Sequence, residues 1–132
     1  MTRKRVFSGH RFEKTGGYAR AVVEDGWVFH SGTTGFDWAT DTIAEDIEGQ
    51  TRQMLENVKW GLAEAGAALA DVVRVRLYIR HAEDDMAVSR VFKEFFGEIY
   101  PAETMVVCDL VDPRMLVEME ATARLPEAAR NQ

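Results

Sequence analysis

The chain of 132 residues is poor in the groups that staple, metallate or anchor a protein. It holds one cysteine, Cys108, so no internal disulfide can form. Its histidines, His10, His30 and His81, stand singly, with no metal-ligand spacing around them, and no metal is expected. Positive charge is also short: sixteen Lys and Arg against twenty-two Asp and Glu leave a net charge of -6. On average such a surface repels a phosphate backbone, which argues against a nucleic-acid partner. Long apolar runs are missing too. The basic start MTRKRVFSGH leads into no segment of signal-peptide length, and no stretch approaches a membrane helix. A soluble, cytoplasmic protein without a membrane partner is expected.

What is present is enough apolar material, 46% of residues, for one core and too short a chain for two comfortable domains. A single domain over 1–132 is expected. YARAVVEDGWVFHSG reads as a hairpin of strands near Tyr18 to Val23 and Trp27 to Ser31, turning at Glu24-Asp25-Gly26. After a loop rich in Thr, Gly and Asp, Asp46 can cap a helix. Ile47, Met54, Leu55, Val58 and Leu62 share one face of it, and Gly66 is placed to stop it. VVRVRLYIR alternates, sending Val73, Val75, Leu77 and Ile79 one way and Arg74, Arg76, Tyr78 and Arg80 the other.

DDMAVSRVFKEFFGEIY returns to helical spacing, with Val88, Val91, Phe92, Phe95 and Phe96 on one side and Gly97 at its end; the aromatic stripe reads as core. ETMVVCDL and LVEMEATARL are two more strands joined around Asp112-Pro113, and a short strand near Arg5 to Phe7 is possible. The expected fold is α+β, a mostly antiparallel mixed sheet with two helices on one face. Two helices cover only one face, so the other must be solvated or covered by another copy of the chain.

GEIYPAETMVVCDL, residues 97 to 110, opens what reads as a buried strand with a bare carboxylate, Glu103. At this point the order of motifs resembles the reactive-intermediate deaminase family, RidA or YjgF, from about Gly16 to Leu125. GGYARAV stands against the family's Gly-Pro-Tyr-Ser-Gln-Ala, and VFHSGTTG against its strand ending in Ser-Gly-Gln. QTRQMLENVKWGLAEAGAALADVVRVRLYI matches its long helix and following strand, and FKEFFGEIYPA and VEMEATA complete the series. The resemblance implies a RidA/chorismate-mutase-like fold, a homotrimer with clefts between subunits, a small-molecule ligand and no cofactor. It leaves a tail, 126–132, expected to be frayed.

In the family's deaminating members the Pro-Ala step is followed by an Arg that clamps the carboxylate of a 2-imino acid. Here that position is Glu103. Exchanging attraction for repulsion in a half-enclosed cleft amounts to on the order of several kcal/mol, so ordinary 2-imino acids become poor candidate substrates. The resemblance carries the water-positioning Glu over to Glu118, the early Tyr to Tyr18, and the Gly at the Ser-Gly step to Gly32. Thr33 replaces the family's Gln, and the usual Asn of the second helix falls near Ser89. The candidate site is therefore Glu118 as the catalytic residue, with Tyr18, Gly32, Thr33 and Glu103 binding substrate.

Each of these has a plainer reading beside it. Glu118 as a general base weighs evenly against an interface carboxylate paired with Arg74 or Arg76. For Glu103, a salt bridge or a selectivity role favouring amine-bearing ligands is preferred over catalysis in a pair coupled to Glu118. Cys108, with Val106 and Leu110 on its face, reads as a buried small hydrophobe. His30 is placed beside the cleft by the resemblance, with a structural role as its default, and Trp38 either lines a pocket or anchors its loop. Three functions follow: hydrolysis of a C=N or enamine bond in a neutral or cationic metabolite, a metabolite-binding or interaction trimer without turnover, and an endoribonuclease. The net negative charge and the lack of a basic stripe count against the third.

Overall fold

The computed structural model describes residues 2–130. The chain enters through strand β1 (Lys4–Val6) and a short helix α1 (Arg11–Gly16), then makes the hairpin of β2 (Ala21–Glu24) and β3 (Trp27–Thr34). Asp25 and Gly26 both have positive φ, 56° and 82°, the conformation that a two-residue hairpin turn needs to match the twist of its strands. A small hairpin, β4 (Phe36–Asp37) and β5 (Thr42–Ile43), occupies the stretch expected as loop. Helix α2 (Ile47–Glu64) follows, then β6 (Val72–Ile79), α3 (Asp85–Phe96), β7 (Ala102–Val107), β8 (Val117–Arg124) and α4 (Glu127–Arg130).

The main sheet has the order β1-β2-β3-β8-β6-β7. Its pairs are antiparallel except β6 with β7, which the α3 crossover makes parallel. Thus β7 and β8, though joined around Asp112-Pro113, are not partners: β8 runs up the middle of the sheet and β7 takes its edge. The edge position overturns the buried reading of ETMVVCDL. Within β7 only Met105 is even half-buried, and Cys108 lies past the strand's end, half-buried rather than in the core.

Helices α2 and α3 cover one face. Asp46 caps α2 by accepting from Gly49 N, and Met54, Leu55, Val58 and Leu62 bury their side chains against Val28, Val75, Leu77, Met119 and Ala121. Burying such apolar side chains is the main source of stability here, roughly 1.5–3 kcal/mol each. The expected alternation in β6 fails at one point. A register shift between Val72 and Arg74 turns Val72 into the core and leaves Val73 exposed, while Val75, Leu77 and Ile79 follow the pattern. Val88, Val91, Phe92 and Phe96 of α3 are buried and Phe95 is half-buried. Residues 127–130, expected to fray, form α4, with Ala129 against the core; residues 131–132 lie outside the described residues.

Candidate functional site

The second face of the sheet is open. Along β8 the residues Val117, Met119, Ala121 and Ala123 are buried under the helices, which sends Glu118, Glu120, Thr122 and Arg124 to the open side. In register, Glu118 lies between Thr34 of β3 and Tyr78 of β6. At one end of this face a cavity of about 440 Å³ opens. Its floor is Gly32, Thr34 and Glu118, and its walls come from α1, Tyr18, Arg20, Trp38 and the segment from Val111 to Met115.

The floor depends on a bulge. The β3/β8 register shifts between His30 and Thr33, so His30 and Thr33 both turn inward and Gly32 presents its backbone to the cavity. A Cβ on Gly32 would sit 2.7 Å from Glu118 Oε1, so only glycine leaves this carboxylate where it is. Burial pushes the Glu118 carboxyl above its ordinary pKa, the neighbouring Glu120 adds to the rise, and Arg20 opposes it. Arg76 forms its ion pair with Glu120 at 3.6 Å, and Tyr78 donates to the same carboxylate, which raises the phenol's own pKa. Among the described residues Glu118 forms no ion pair, so the pairing foreseen with Arg74 or Arg76 falls instead to Glu120.

Behind the floor stands a buried charge pair that sequence reasoning missed. Arg20 Nε donates to Glu13 Oε2 at 3.0 Å, and both side chains are almost wholly buried. Arg20 Nη1 donates to Gly32 O and to Thr33 Oγ1, each at 3.0 Å, which pins the bulge. The guanidinium carbon lies 5.4 Å from the Tyr18 ring and 5.1 Å from that of Trp38. Glu13 in turn accepts from the backbone of Ser8 and Gly9 and from the Ser8 hydroxyl. The only signal in the sequence was an arginine placed among small and apolar residues in GGYARAV.

The far wall is held by two polar side chains. Arg80 donates to the carbonyls of Met115, Asp112 and Leu110 at 2.9, 2.9 and 3.2 Å. Gln50, buried in α2, bridges Ala44 O and Arg114 O and accepts from Leu116 N. Asp112, at the cavity wall, is held down to about 2 by hydrogen bonds from Arg114.

Of the residues named from sequence, Tyr18, Gly32 and Glu118 meet in this cavity. Thr33 does not line it. It is buried on the helix side, accepts from Arg20 and donates to Ser31 O at 2.8 Å, so it acts on the bulge rather than on a ligand. Glu103 lies elsewhere. It is in register with the inward-facing Val75 and borders a separate recess of about 250 Å³ with Ser89, Lys93 and Tyr100, beside α3. Within one chain, therefore, Glu103 and Glu118 occupy opposite sides of the sheet, and Glu103 forms no salt bridge among the described residues. Trp38 does line the cavity. His30 does not: it is buried against Gly61 of α2, where burial lowers its pKa to about 4. No group of three or more His, Cys, Asp or Glu among the described residues could hold a metal ion, and no described helix is long and apolar enough to cross a membrane.

Residues 8–125 match the family described as endoribonuclease L-PSP. A RutC family protein of Pyrococcus abyssi is 35% identical over 124 residues, 93% of this chain and 98% of the relative. Among solved structures, a YjgF/YER057c/UK114 family member from Mycobacterium tuberculosis is 40% identical, with a TM-score of 0.86 over 94% of this chain and all of that one. TdcF of E. coli with bound serine is 29% identical, with a TM-score of 0.78 over 83% of this chain and 88% of that one. The central bulge, the open sheet face and these likenesses converge on one assignment: the chain belongs to the endoribonuclease L-PSP family, the RidA/YjgF group.

Proposed function

We propose that this protein hydrolyses the C=N bond of a small imine, or of an enamine after its tautomerisation, with Glu118 as the proton-handling group. The observation that carries the reading is the carboxylate of Glu118, half-buried, with its pKa raised and set against the bare backbone of Gly32 on the floor of a largely apolar cavity. A base at this place needs a pKa nearer neutrality than a free carboxylate has, and burial supplies that shift. Glu118 takes a proton from water as its oxygen bonds to the imine carbon and the C=N electron pair moves to nitrogen. Glu118 gives that proton to nitrogen, which completes a carbinolamine. Glu118 then carries the hydroxyl proton to nitrogen, and the C–N bond breaks to release ammonia, form C=O and leave Glu118 as its carboxylate.

The working assembly in this reading is a homotrimer. Phe29, Tyr78 and Val106 leave apolar area on the open sheet face, and a neighbouring copy laid there would bury it. The neighbour's β7 edge could then bring Glu103 to the mouth of the cavity, which makes that end of the ligand neutral or amine-bearing. The serine bound by E. coli TdcF supports a small, amine-bearing ligand for this protein.

The test is hydrolysis of 2-imino acids and of the matching neutral imines by purified wild type, Glu118→Ala and Glu103→Arg, with molar mass measured by light scattering. Turnover lost in Glu118→Ala supports the mechanism. Turnover unchanged in that variant refutes it, and saturable binding without product in any protein would replace it with a binding trimer. A monomer with full activity would remove Glu103 from the site.

A further inference from the structure

Three aromatic side chains from three separate parts of the chain meet in the cavity: Phe12 of α1, Tyr18 of the segment after it, and Trp38 of the β4–β5 hairpin. Each is held by its own support. The Phe12 ring meets His10 edge to face at 4.6 Å and Phe36 in the same manner at 5.2 Å. Trp38 meets Trp60 of α2 edge to face at 5.6 Å, and the Arg20 guanidinium lies 5.1 Å from its ring. Gly16 makes room for the Tyr18 ring, since a Cβ there would stand 2.7 Å from it. Val111, Pro113 and Met115 add apolar surface from the far wall.

The charges in this lining are nearly all answered. Arg20, its only cation, is 2% exposed and paired with Glu13, and Asp112 is paired with Arg114. Among the described residues the one lining charge without an ionic partner is the Glu118 carboxylate. A ligand carboxylate laid in the cavity would meet that anion and no free cation, which counts against it.

Resting on the proposed function and deepening it, we propose that the substrate is an imine or enamine whose reacting carbon carries a ring-sized apolar group and no carboxylate, selected by Phe12, Tyr18 and Trp38. The size agrees: a cavity of roughly 150 Å³ holds a benzene ring, and about 440 Å³ leaves space beside such a ring for the C=N group over Gly32 and Glu118. The rings are fixed before a ligand arrives, so little side-chain entropy is lost on binding. A methyl group in place of the ring would leave the aromatic walls wet and forgo the burial that drives association. Trp38 thereby has its role as a pocket wall, and its contact with Trp60 is what keeps that wall in place.

The test measures binding without turnover, by NMR titration of backbone and indole N–H signals with 3-phenylpropanamide, propanamide and 3-phenylpropanoate. The chain has three tryptophans, Trp27, Trp38 and Trp60, and Trp38→Leu assigns the indole at the site. The ring-bearing amide should bind wild type about tenfold or more tightly than propanamide, the effect of burying part of one ring. It should move the Trp38 indole and the Gly32 backbone signal, leave Trp27 on the open face of β3 in place, and bind more tightly than the acid of the same shape. Phe12→Leu and Trp38→Leu should each shrink the advantage of the ring and leave propanamide binding unchanged. Equal binding of the two amides, binding of no probe at millimolar concentration, an acid bound as tightly as its amide, or ring selectivity undiminished in both variants would each overturn the proposal. The wild-type comparison of the three probes needs no variant to fold. Failure of the hydrolase reading registers separately, as ring-selective binding with no turnover or with turnover indifferent to Glu118→Ala.

Discussion

Gly32 and Glu118 are matched: the carboxylate occupies the space that any side chain at position 32 would need, 2.7 Å from its Cβ. The Glu118 side chain can rotate away at little cost, so the fold tolerates a methyl group there while the carboxylate is displaced. Gly32→Ala should unfold within about 1–3 kcal/mol of wild type, the usual range for inserting a methyl group into a packed site. In the proposed reaction its turnover should fall by about a hundredfold or more, the scale of a lost general base. Equal activity in the alanine variant would mean that the placement of Glu118 is immaterial.

Glu118 also sets a pH dependence. Its folded pKa is raised, so the folded protein holds this proton more tightly than the unfolded chain does. The stability it contributes is present below the ordinary carboxylate range and is lost as pH rises through the raised value. Glu118→Gln should therefore raise the melting temperature at neutral pH and leave it unchanged in acid. The proposed hydrolysis, in which Glu118 acts as the ionised base, should rise along the same limb. A rate profile flat across that limb would assign the base to another group.

His30 predicts an acid weakness. Burial depresses its pKa from 6.5 to about 4, with Nδ1 donating to Ser31 O and Nε2 left without a partner beside α2. The folded form refuses a proton that the unfolded chain accepts, so stability falls as pH drops from about 6.5 to 4, by roughly 3 kcal/mol in all. His30→Gln should flatten that part of a denaturation series. Gly61→Ala should destabilise at every pH by about 1–3 kcal/mol, because its methyl group would collide with the His30 ring.

The Arg20 and Glu13 pair should show the asymmetry of buried ions. Removing only the acid, in Glu13→Ala, strands a buried guanidinium and should cost about 3–5 kcal/mol, whereas removing both partners should cost less than the sum. A denaturant double-mutant cycle measures the difference. A coupling near zero would place the pair in solvent.

Periodicity and punctuation made most of the elements legible. Asp46 and Gly66 mark the ends of α2, the apolar spacing of α3 needs no partner to be read, and Asp25-Gly26 specifies its own turn. Those signals are local, because a cap, a helix stripe and a two-residue turn are satisfied within a few residues. The inward register of Val72 was not legible, since a bulge arises from pairing with a strand fifty residues away. Nor was the edge position of β7, because an apolar run reads alike whether one neighbour covers it or two.

The candidate site divides in the same way. Tyr18, Gly32 and Glu118 were named by the family resemblance, and the fold brings the three to one cavity. Thr33 lies outside that cavity because the bulge between His30 and Thr33 turns it inward. Arg20 and Glu13 were overlooked, since seven residues of helix and turn must fold before the two charges meet. The sequence by itself determined the α+β layering, the boundaries of α2 and α3 and the presence of a carboxylate on the open face of β8. The tertiary structure alone decided that Glu103 lies across the sheet from Glu118 and that Arg20 stands in the cavity wall, because both depend on strand order and register, which are fixed only when distant segments pair.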